Sequence, residues 1–181
     1  MTMPIVNWQE LDHEKSPPMA TEEILHLIPT FHAECDTKCL VILPRAVFDE
    51  MMLHLKGDCT RERIGILTGR PYTKSFSGQL LVCVDAALSV EDIHATDIRV
   101  AIQKSDWEDV WRRLSVTVES RIVGWYHSHP GHGVFLSATD RVTQSSWFAQ
   151  EWKVAIVVDP VRGEYQAFTG ASGTPTPVLL I

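Results

Sequence analysis

The sequence lacks the features that mark several large classes of protein. No apolar run approaches the ~18 residues that a helix needs to cross a bilayer, so no membrane association is expected. The amino terminus has no basic stretch followed by an apolar one, so no secretory signal is expected and the predicted location is cytoplasmic. Basic residues are few, since 16 Lys and Arg stand against 23 Asp and Glu for a net charge of −7. Nucleic-acid binders are more often basic, so nucleic acid is not an expected partner.

Cysteine is also scarce, with four residues in a chain of 181. Without a secretory signal, these thiols are expected to stay reduced. Cys59 and Cys83 are interpreted as small buried side chains. His32, Cys35 and Cys39 lie close together, but a structural zinc site usually needs four ligands. A loop is therefore favoured over a metal site in that segment.

The remaining composition, 45% hydrophobic and 22% charged, is typical of one globular domain. Residues 1–38 are interpreted as an N-terminal extension and 39–181 as the domain. Within the extension, "EKSPP" resembles a linker. The segment "TEEILHLI" that follows predicts a short helix, which Pro29 ends.

Strand and helix patterns alternate along the domain. Strands are expected at 39–43, 63–69, 78–88, 121–129, 153–159 and 164–170. Helices are expected at 44–56, at 105–119, and over roughly a dozen residues from Ser137. Residues 89–104 have no firm assignment, and the tail is expected to be loose or to add an edge strand. The predicted fold class is α/β, a mixed central sheet flanked by helices.

The segment "GWYHSHPGHGVFLSATD", residues 124–140, concentrates side chains that bind metals. His127 and His129 lie two residues apart on a predicted strand, so they point to the same side. Ser137 and Asp140 lie three residues apart at a predicted helix start, so they share one face of that helix. Two imidazoles and one carboxylate, with a fourth position open to water, are a ligand set of catalytic zinc.

Each part of this segment also has an ordinary structural explanation. Ser-x-x-Asp is a helix capping box, and a His-x-His pair in a buried strand is often only packing. The combined spacing His-x-His-Pro-x6-Ser-x2-Asp is demanding, and it favours the zinc site. Zinc lowers the pKa of a bound water towards ~7. A serine hydrolase is disfavoured because Ser128 should face away from both histidines and lacks a nucleophile elbow.

Hydrolysis at such a site needs a proton carrier that is not a metal ligand. Glu62, in "RERIGILTG", immediately precedes a predicted strand, and Gly65 and Gly69 allow close approach of the backbone. On its own, Glu62 would be interpreted as an exposed charge between Arg61 and Arg63. The requirement of the zinc site makes it the best candidate for the base.

Two patterns together resemble one known family. Glu-x2-Gly-x3-Gly at 62–69, followed by His-Ser-His-Pro-x6-Ser-x2-Asp at 127–140, is similar to the motif of the JAMM (MPN+) zinc metalloproteases. "GWYHSHPG" and "VVDPVRGEY" also match that family. The similarity covers roughly residues 40–170, and it implies the MPN fold, which is related to that of cytidine deaminases.

The resemblance implies a role for each motif position. His127, His129 and Asp140 would bind Zn²⁺. Glu62 would act as general base and then as acid towards the leaving amine. Ser137 would hydrogen-bond the oxyanion of the tetrahedral intermediate or orient the site.

The resemblance also implies a substrate class. The family cleaves isopeptide or peptide bonds after the C-terminal glycine of ubiquitin or a ubiquitin-like protein. Expected partners are a ubiquitin-like protein, its conjugates, and E1-like and E2-like enzymes, for example in a bacterial antiphage pathway. The alternatives are a peptidase that processes a sulfur-carrier protein and a non-catalytic scaffold subunit. Scaffold relatives usually lose metal ligands, and none is missing here.

His132 and the extension depart from the family pattern, and one further segment coincides with a family insertion. His132 occupies a position that is aromatic in many relatives, and an ordinary loop residue is favoured over a substrate contact or a spare ligand. Residues 89–104 lie where relatives carry an insertion that often contacts the substrate tail. The extension, residues 1–38, has no counterpart in the pattern.

Overall fold

The structure is a computed structural model that describes residues 38–73, 78–90 and 121–181. Its strands are β1 Cys39–Leu43, β2 Ile64–Thr73, β3 Leu80–Val90, β4 Arg121–Ser128, β5 Val154–Asp159, β6 Glu164–Thr169, β7 Thr174–Thr176 and β8 Val178–Leu180. The two helices of the described ranges are α1 Arg45–Lys56 and α2 Ala138–Trp147. The strands form one mixed sheet in the order β7-β6-β5-β4-β2-β3-β1-β8. The predicted α/β class is confirmed.

Differences from the expected elements have local causes. β2 continues to Thr73 because its pairing with β3 resumes after a bulge at Thr68 and Gly69. The tail is not loose: β7 pairs with β6 and β8 pairs with β1. The helix expected at 105–119, the helix "TEEILHLI", His32 and Cys35 lie outside the described residues. The division of the chain near residue 38 stays a prediction.

Apolar side chains are buried on both faces of the sheet. α1 buries Val47, Phe48, Met51 and Leu55, the i, i+4 stripe expected of an amphipathic helix, against one face. Each such side chain contributes roughly 1.5–3 kcal/mol on burial. The opposite face carries a second cluster that includes Phe148, which directly follows α2. The sheet is therefore covered on both sides of β4.

The segment β4–α2–β5 positions the residues of interest. β4 and β5 are parallel neighbours, so the chain must return along the sheet between them, and α2 lies in that connection. The connection places the N-terminus of α2 near the carboxyl end of β4. Side chains at the end of β4 and the start of α2 therefore meet at one edge of the sheet.

One expectation about cysteine is wrong. Cys59 is exposed, and Cys83 is only half-buried. Cys59 lies in the turn after α1, where the Asp58 carboxylate accepts hydrogen bonds from the backbone N–H and hydroxyl of Thr60. That polar turn keeps Cys59 at the surface. Among the helices of the described ranges, none has the length and apolar character needed to cross a membrane.

Candidate metal centre

The structure brings together the two histidines and the aspartate of the motif. Asp140 Oδ2 lies 3.4 Å from Nε2 of His127 and 3.4 Å from Nε2 of His129. The three residues are buried, with exposed fractions of 1%, 3% and 5% in chain order. Their potential ligand atoms all lie within 4.8 Å of one another, and no other such group occurs in the part of the chain that is described.

The donor set fits a zinc ion. Nδ1 and Nε2 of His127 are buried and have no hydrogen-bond partner among the described residues. Unpaired buried polar atoms are costly, and a metal ion would satisfy one of them. Zinc bonds of ~2.0–2.2 Å in a tetrahedron place neighbouring ligand atoms about 3.3–3.6 Å apart. Both nitrogen–oxygen distances fall in that range.

Ser137 and Asp140 form a reciprocal capping box at the start of α2. Ser137 N donates to Asp140 Oδ2 at 2.7 Å, and Asp140 N donates to Ser137 Oγ at 3.2 Å. The capping role of Ser137 is therefore present. The same box holds the Asp140 carboxylate towards the histidines, so capping and ligand positioning use the same atoms. The contact of Ser137 with an oxyanion stays a prediction.

Electrostatics keep the Asp140 carboxylate ionised. Burial acts to raise its pKa, but the close imidazoles of His127 and His129 and the hydrogen bond from Ser137 outweigh burial and hold the pKa well below its usual range. Burial acts to lower the pKa of His129, while Asp140 and Glu62 reverse this effect and raise it. The pocket therefore favours positive charge beside the ionised Asp140.

Glu62 lies beside this group without belonging to it. Its Oε1 is 3.5 Å from His129 Nε2, and its side chain is 25% exposed, unlike those of the three buried residues. Burial raises the pKa of Glu62, while the neighbouring histidines His129 and His127 act to lower it. A carboxyl group with a raised pKa can accept and release a proton closer to neutral pH.

Two hydrogen bonds between Arg63 and Ser128, called the clamp below, position Glu62. Arg63, the next residue, donates its N–H to Ser128 Oγ at 2.9 Å and accepts from Ser128 N at 2.9 Å. These bonds extend the pairing of β2 and β4 beyond the pair Ile64 and His127. The Ser128 hydroxyl thus accepts a hydrogen bond from the residue that precedes β2. This agrees with the expectation that Ser128 faces away from both histidines. Gly65 leaves room for the ring of Tyr126, with which any Cβ would clash.

Asp159 organises the loop after His129, and its role was not expected from the sequence. Gly131 N and Gly133 N donate to its two carboxylate oxygens at 2.9 Å each. Both glycines have positive φ, 77° and 87°, which favours glycine in this loop. Asp159 ends β5 in "VVDPVRGEY", and its position directly before a proline at a strand end was the available signal.

His132 does not join the metal group. Its side chain is exposed, and its N–H donates to the His129 carbonyl at 3.1 Å. The interpretation of His132 as a loop residue agrees with this position. Phe135 contacts the metal group: its ring centroid lies 4.9 Å from that of His129, and the residue is 48% exposed.

A family model described as prokaryotic homologs of the JAB domain matches residues 44–169. COP9 signalosome complex subunit 5 of Drosophila melanogaster is 34% identical over 140 residues, which are 74% of this chain and 38% of that protein. The same subunit of Caenorhabditis elegans is 38% identical over 120 residues, 62% of this chain and 30% of that protein. The subunit of Dictyostelium discoideum is 30% identical over 165 residues, 86% of this chain and 47% of that protein. The chain thus spans less than half the length of each.

A solved structure supports the fold alone. The solution structure of a protein from Desulfitobacterium hafniense superposes with a TM-score of 0.61 at 15% identity. The match covers 78% of this chain and 92% of that chain.

Proposed function

This chain belongs to the JAMM/MPN+ (JAB-domain) family, in its prokaryotic branch, and on that premise we propose that it is a zinc-dependent peptidase. Its proposed substrates carry a ubiquitin-like protein joined to an amine through its C-terminal glycine, and the bond after that glycine is the one cleaved. The observation that carries the proposal is the buried group of His127, His129 and Asp140 with Glu62 beside it.

His127, His129 and Asp140 are the residues that would hold zinc. When bound, zinc supplies a Lewis acid for the scissile carbonyl and lowers the pKa of water to about 7. Three protein ligands leave a fourth position open, as in catalytic rather than structural zinc sites. Nothing in this ligand set is missing, which argues against a scaffold.

Glu62 is the proposed proton carrier. Its carboxylate takes a proton from the attacking water and delivers it to the nitrogen of the leaving amine. The raised pKa of Glu62 supports both steps, since the group must be a base first and an acid afterwards. Donors at the N-terminus of α2, including Ser137, would stabilise the negative charge on the carbonyl oxygen.

The buried position of the ligands supports a glycine at the cleaved bond. The three ligand residues are at most 5% exposed, so the reacting carbonyl must approach closely. Glycine has no side chain to obstruct that approach. The exposed ring of Phe135 beside His129 would provide an apolar wall for the substrate tail.

Within this proposal, two substrate types share the same chemistry. One is a conjugate of a ubiquitin-like protein, which E1-like and E2-like enzymes would make, for example in an antiphage pathway. The other is a sulfur-carrier protein that requires trimming. In both substrate types the cleaved bond follows a glycine, so the leaving group after that glycine distinguishes them.

The test begins with zinc content. Atomic absorption on protein purified without chelator should find one zinc per chain in the wild type and in Glu62→Gln, and none in Asp140→Ala. Glu62→Gln should lose most turnover, by roughly 10²-fold or more, because the base is removed and the ligands remain. Glu151→Gln, at an exposed glutamate, is the control and should keep full turnover.

The turnover assay uses ubiquitin and a sulfur-carrier protein, each ending in Gly-Gly. Each is joined to a reporter peptide either through a lysine side chain or as a linear fusion. Preference for the lysine-linked ubiquitin supports deconjugation, and preference for the linear carrier supports trimming. Wild-type protein without zinc would overturn the proposal, and full turnover by Glu62→Gln would overturn the assignment of the base.

A further inference from the structure

The imidazole of His127 lies flat against the indole of Trp125. Their ring centroids are 4.4 Å apart, and the angle between the rings is 11°. Trp125 is completely buried. Phe148 stacks with the same indole at 5.9 Å and 19°. The rings of Phe148, Trp125 and His127 therefore form a packed series that ends at the metal centre.

Gln144 holds this series in place from α2. The indole Nε1–H of Trp125 donates to Gln144 Oε1 at 2.8 Å. Gln144 Nε2 donates to the carbonyl oxygens of Phe148, Lys153 and Gly170, at 3.0, 3.3 and 3.3 Å. Carbonyls accept and the indole donates, so the Gln144 amide must turn Oε1 towards the indole and Nε2 towards the three carbonyls, which share its two hydrogens. Gln144 is completely buried, so water is not available as an alternative partner and the amide keeps its hydrogen bond with Trp125.

This arrangement differs from the usual support of a metal-binding histidine. Such a histidine commonly donates its second ring N–H to a carboxylate, a carbonyl or a water. Nδ1 of His127 is buried and has no such partner among the described residues. Among the described residues, no hydrogen bond at Nδ1 sets the plane of the ring. The ring contacts of His127 there are the stacked indole and the edge-on ring of His129, whose centroid lies 4.8 Å away, and the indole is the one that lies parallel to it.

We propose that Trp125 and Gln144 are positioning residues that hold His127 in the orientation needed to bind zinc. Trp125 restrains the ring by stacking, and Gln144 acts through Trp125. The inference rests on the proposed function, because it requires His127 to be a zinc ligand. It does not depend on the identity of the substrate.

The test measures zinc affinity rather than turnover. Metal-free wild type, Trp125→Leu, Trp125→Phe and Gln144→Leu are titrated with zinc against a chromophoric chelator. Trp125→Leu and Gln144→Leu should weaken zinc binding by about 10–100-fold, the usual loss for a residue that supports a ligand. Trp125→Phe keeps a ring but loses the indole N–H, so a smaller loss is expected.

The double variant tests the order of action. If Gln144 acts through Trp125, adding Gln144→Leu to Trp125→Leu should not weaken zinc binding further. The visible spectrum of the cobalt-substituted protein should also change in Trp125→Leu, because the ligand geometry is altered. A purely structural role for Trp125 would leave that spectrum unchanged in folded protein.

Trp152→Leu is the matched control, because Trp152 is a buried tryptophan in the cluster on the other face of the sheet. It should lower the melting temperature of the metal-free protein while zinc affinity stays at the wild-type value. Should Trp125→Leu fail to fold, Trp125→Phe carries the test. Wild-type zinc affinity in the folded Trp125 variants, or an equal loss in Trp152→Leu, overturns this inference alone. Absence of zinc binding by the wild type overturns both proposals.

Discussion

Asp159 is a single buried carboxylate that joins two loops. Besides Gly131 and Gly133, the backbone N–H groups of Val161 and Arg162 donate to its Oδ1 at 3.0 and 3.1 Å. Arg162 Nη2 in turn donates to the Gly131 carbonyl at 2.9 Å. The loop after His129 and the turn after β5 are thereby held against each other.

The protonation of Asp159 should therefore affect stability in acid. Burial acts to raise its pKa, but the four backbone hydrogen bonds outweigh burial and lower the pKa from 3.8 to about 2. The group binds a proton less readily in the folded state, so its contribution is complete above the unfolded pKa. That contribution is lost as the pH falls towards the folded pKa of about 2.

Asp159→Asn should lower the free energy of unfolding at pH 7, because the amide cannot accept at both oxygen positions. The difference from wild type should shrink as the pH falls through the window from 3.8 to about 2. Urea unfolding of both proteins at a series of pH values measures this difference in the free energy of unfolding. Glu164→Gln, at an exposed carboxylate of the same hairpin, should stay near wild type at pH 7. A difference that is constant with pH would contradict a stabilising role for the ionised Asp159 carboxylate.

At the scale of elements, the pairing of β2 with β4 decides whether Glu62 reaches the metal centre. Glu62 precedes β2, so its position depends on how the strand begins. The two bonds between Arg63 and Ser128 set that start. The side chain of Ser128 therefore acts on the opposite face from His127 and His129 while positioning the base that serves them.

Ser128→Ala should reduce turnover by about 10-fold or more while one zinc per chain is retained, because small displacements of a reacting group are costly. The lost hydrogen bond should cost about 1 kcal/mol of stability. In a Glu62→Gln background, Ser128→Ala should have no further effect on turnover. Ser145→Ala, at an exposed serine of α2, is the control. Wild-type turnover in Ser128→Ala would show that the clamp is not needed.

At the scale of the whole molecule, the carboxyl-terminal tail pairs with both edges of the sheet. β7 lies on β6 at one edge, and β8 lies on β1 at the other, with only Pro177 between β7 and β8. The sheet therefore curls until its two ends meet at the tail. Unpaired strand edges invite association with other chains, and this pairing covers both.

Deleting residues 174–181 should expose β6 and β1 as open edges. The lost pairing and burial should cost roughly 2–4 kcal/mol of stability, which lowers the melting temperature by about 5–15 °C in a domain of this size. Calorimetry measures the shift, and light scattering measures the expected self-association. Pro175→Ala, exposed in β7, keeps the pairing and is the control. An unchanged melting temperature would show that the tail contributes little.

The sequence determined much of the metal centre because its ligands lie close together in the chain. The two-residue period of a strand places His127 and His129 on one side, and the capping pattern places Ser137 and Asp140 at a helix start. Each of these relations needs only the geometry of one element. The fold class also followed from local patterns, since strand and helix segments alternate.

The motif named Glu62 as a candidate, but only the tertiary structure decided how distant groups meet this centre. The register of β2 against β4 places Glu62 3.5 Å from His129, and the parallel pairing of β4 with β5 places Asp159 under the loop. Gln144 had no local signal, because its partners Trp125 and Gly170 lie 19 and 26 residues away in the chain. The physical reason is the same for all three. A hydrogen bond or ring contact between separate elements depends on register and packing, which the periodicity of either segment alone does not specify.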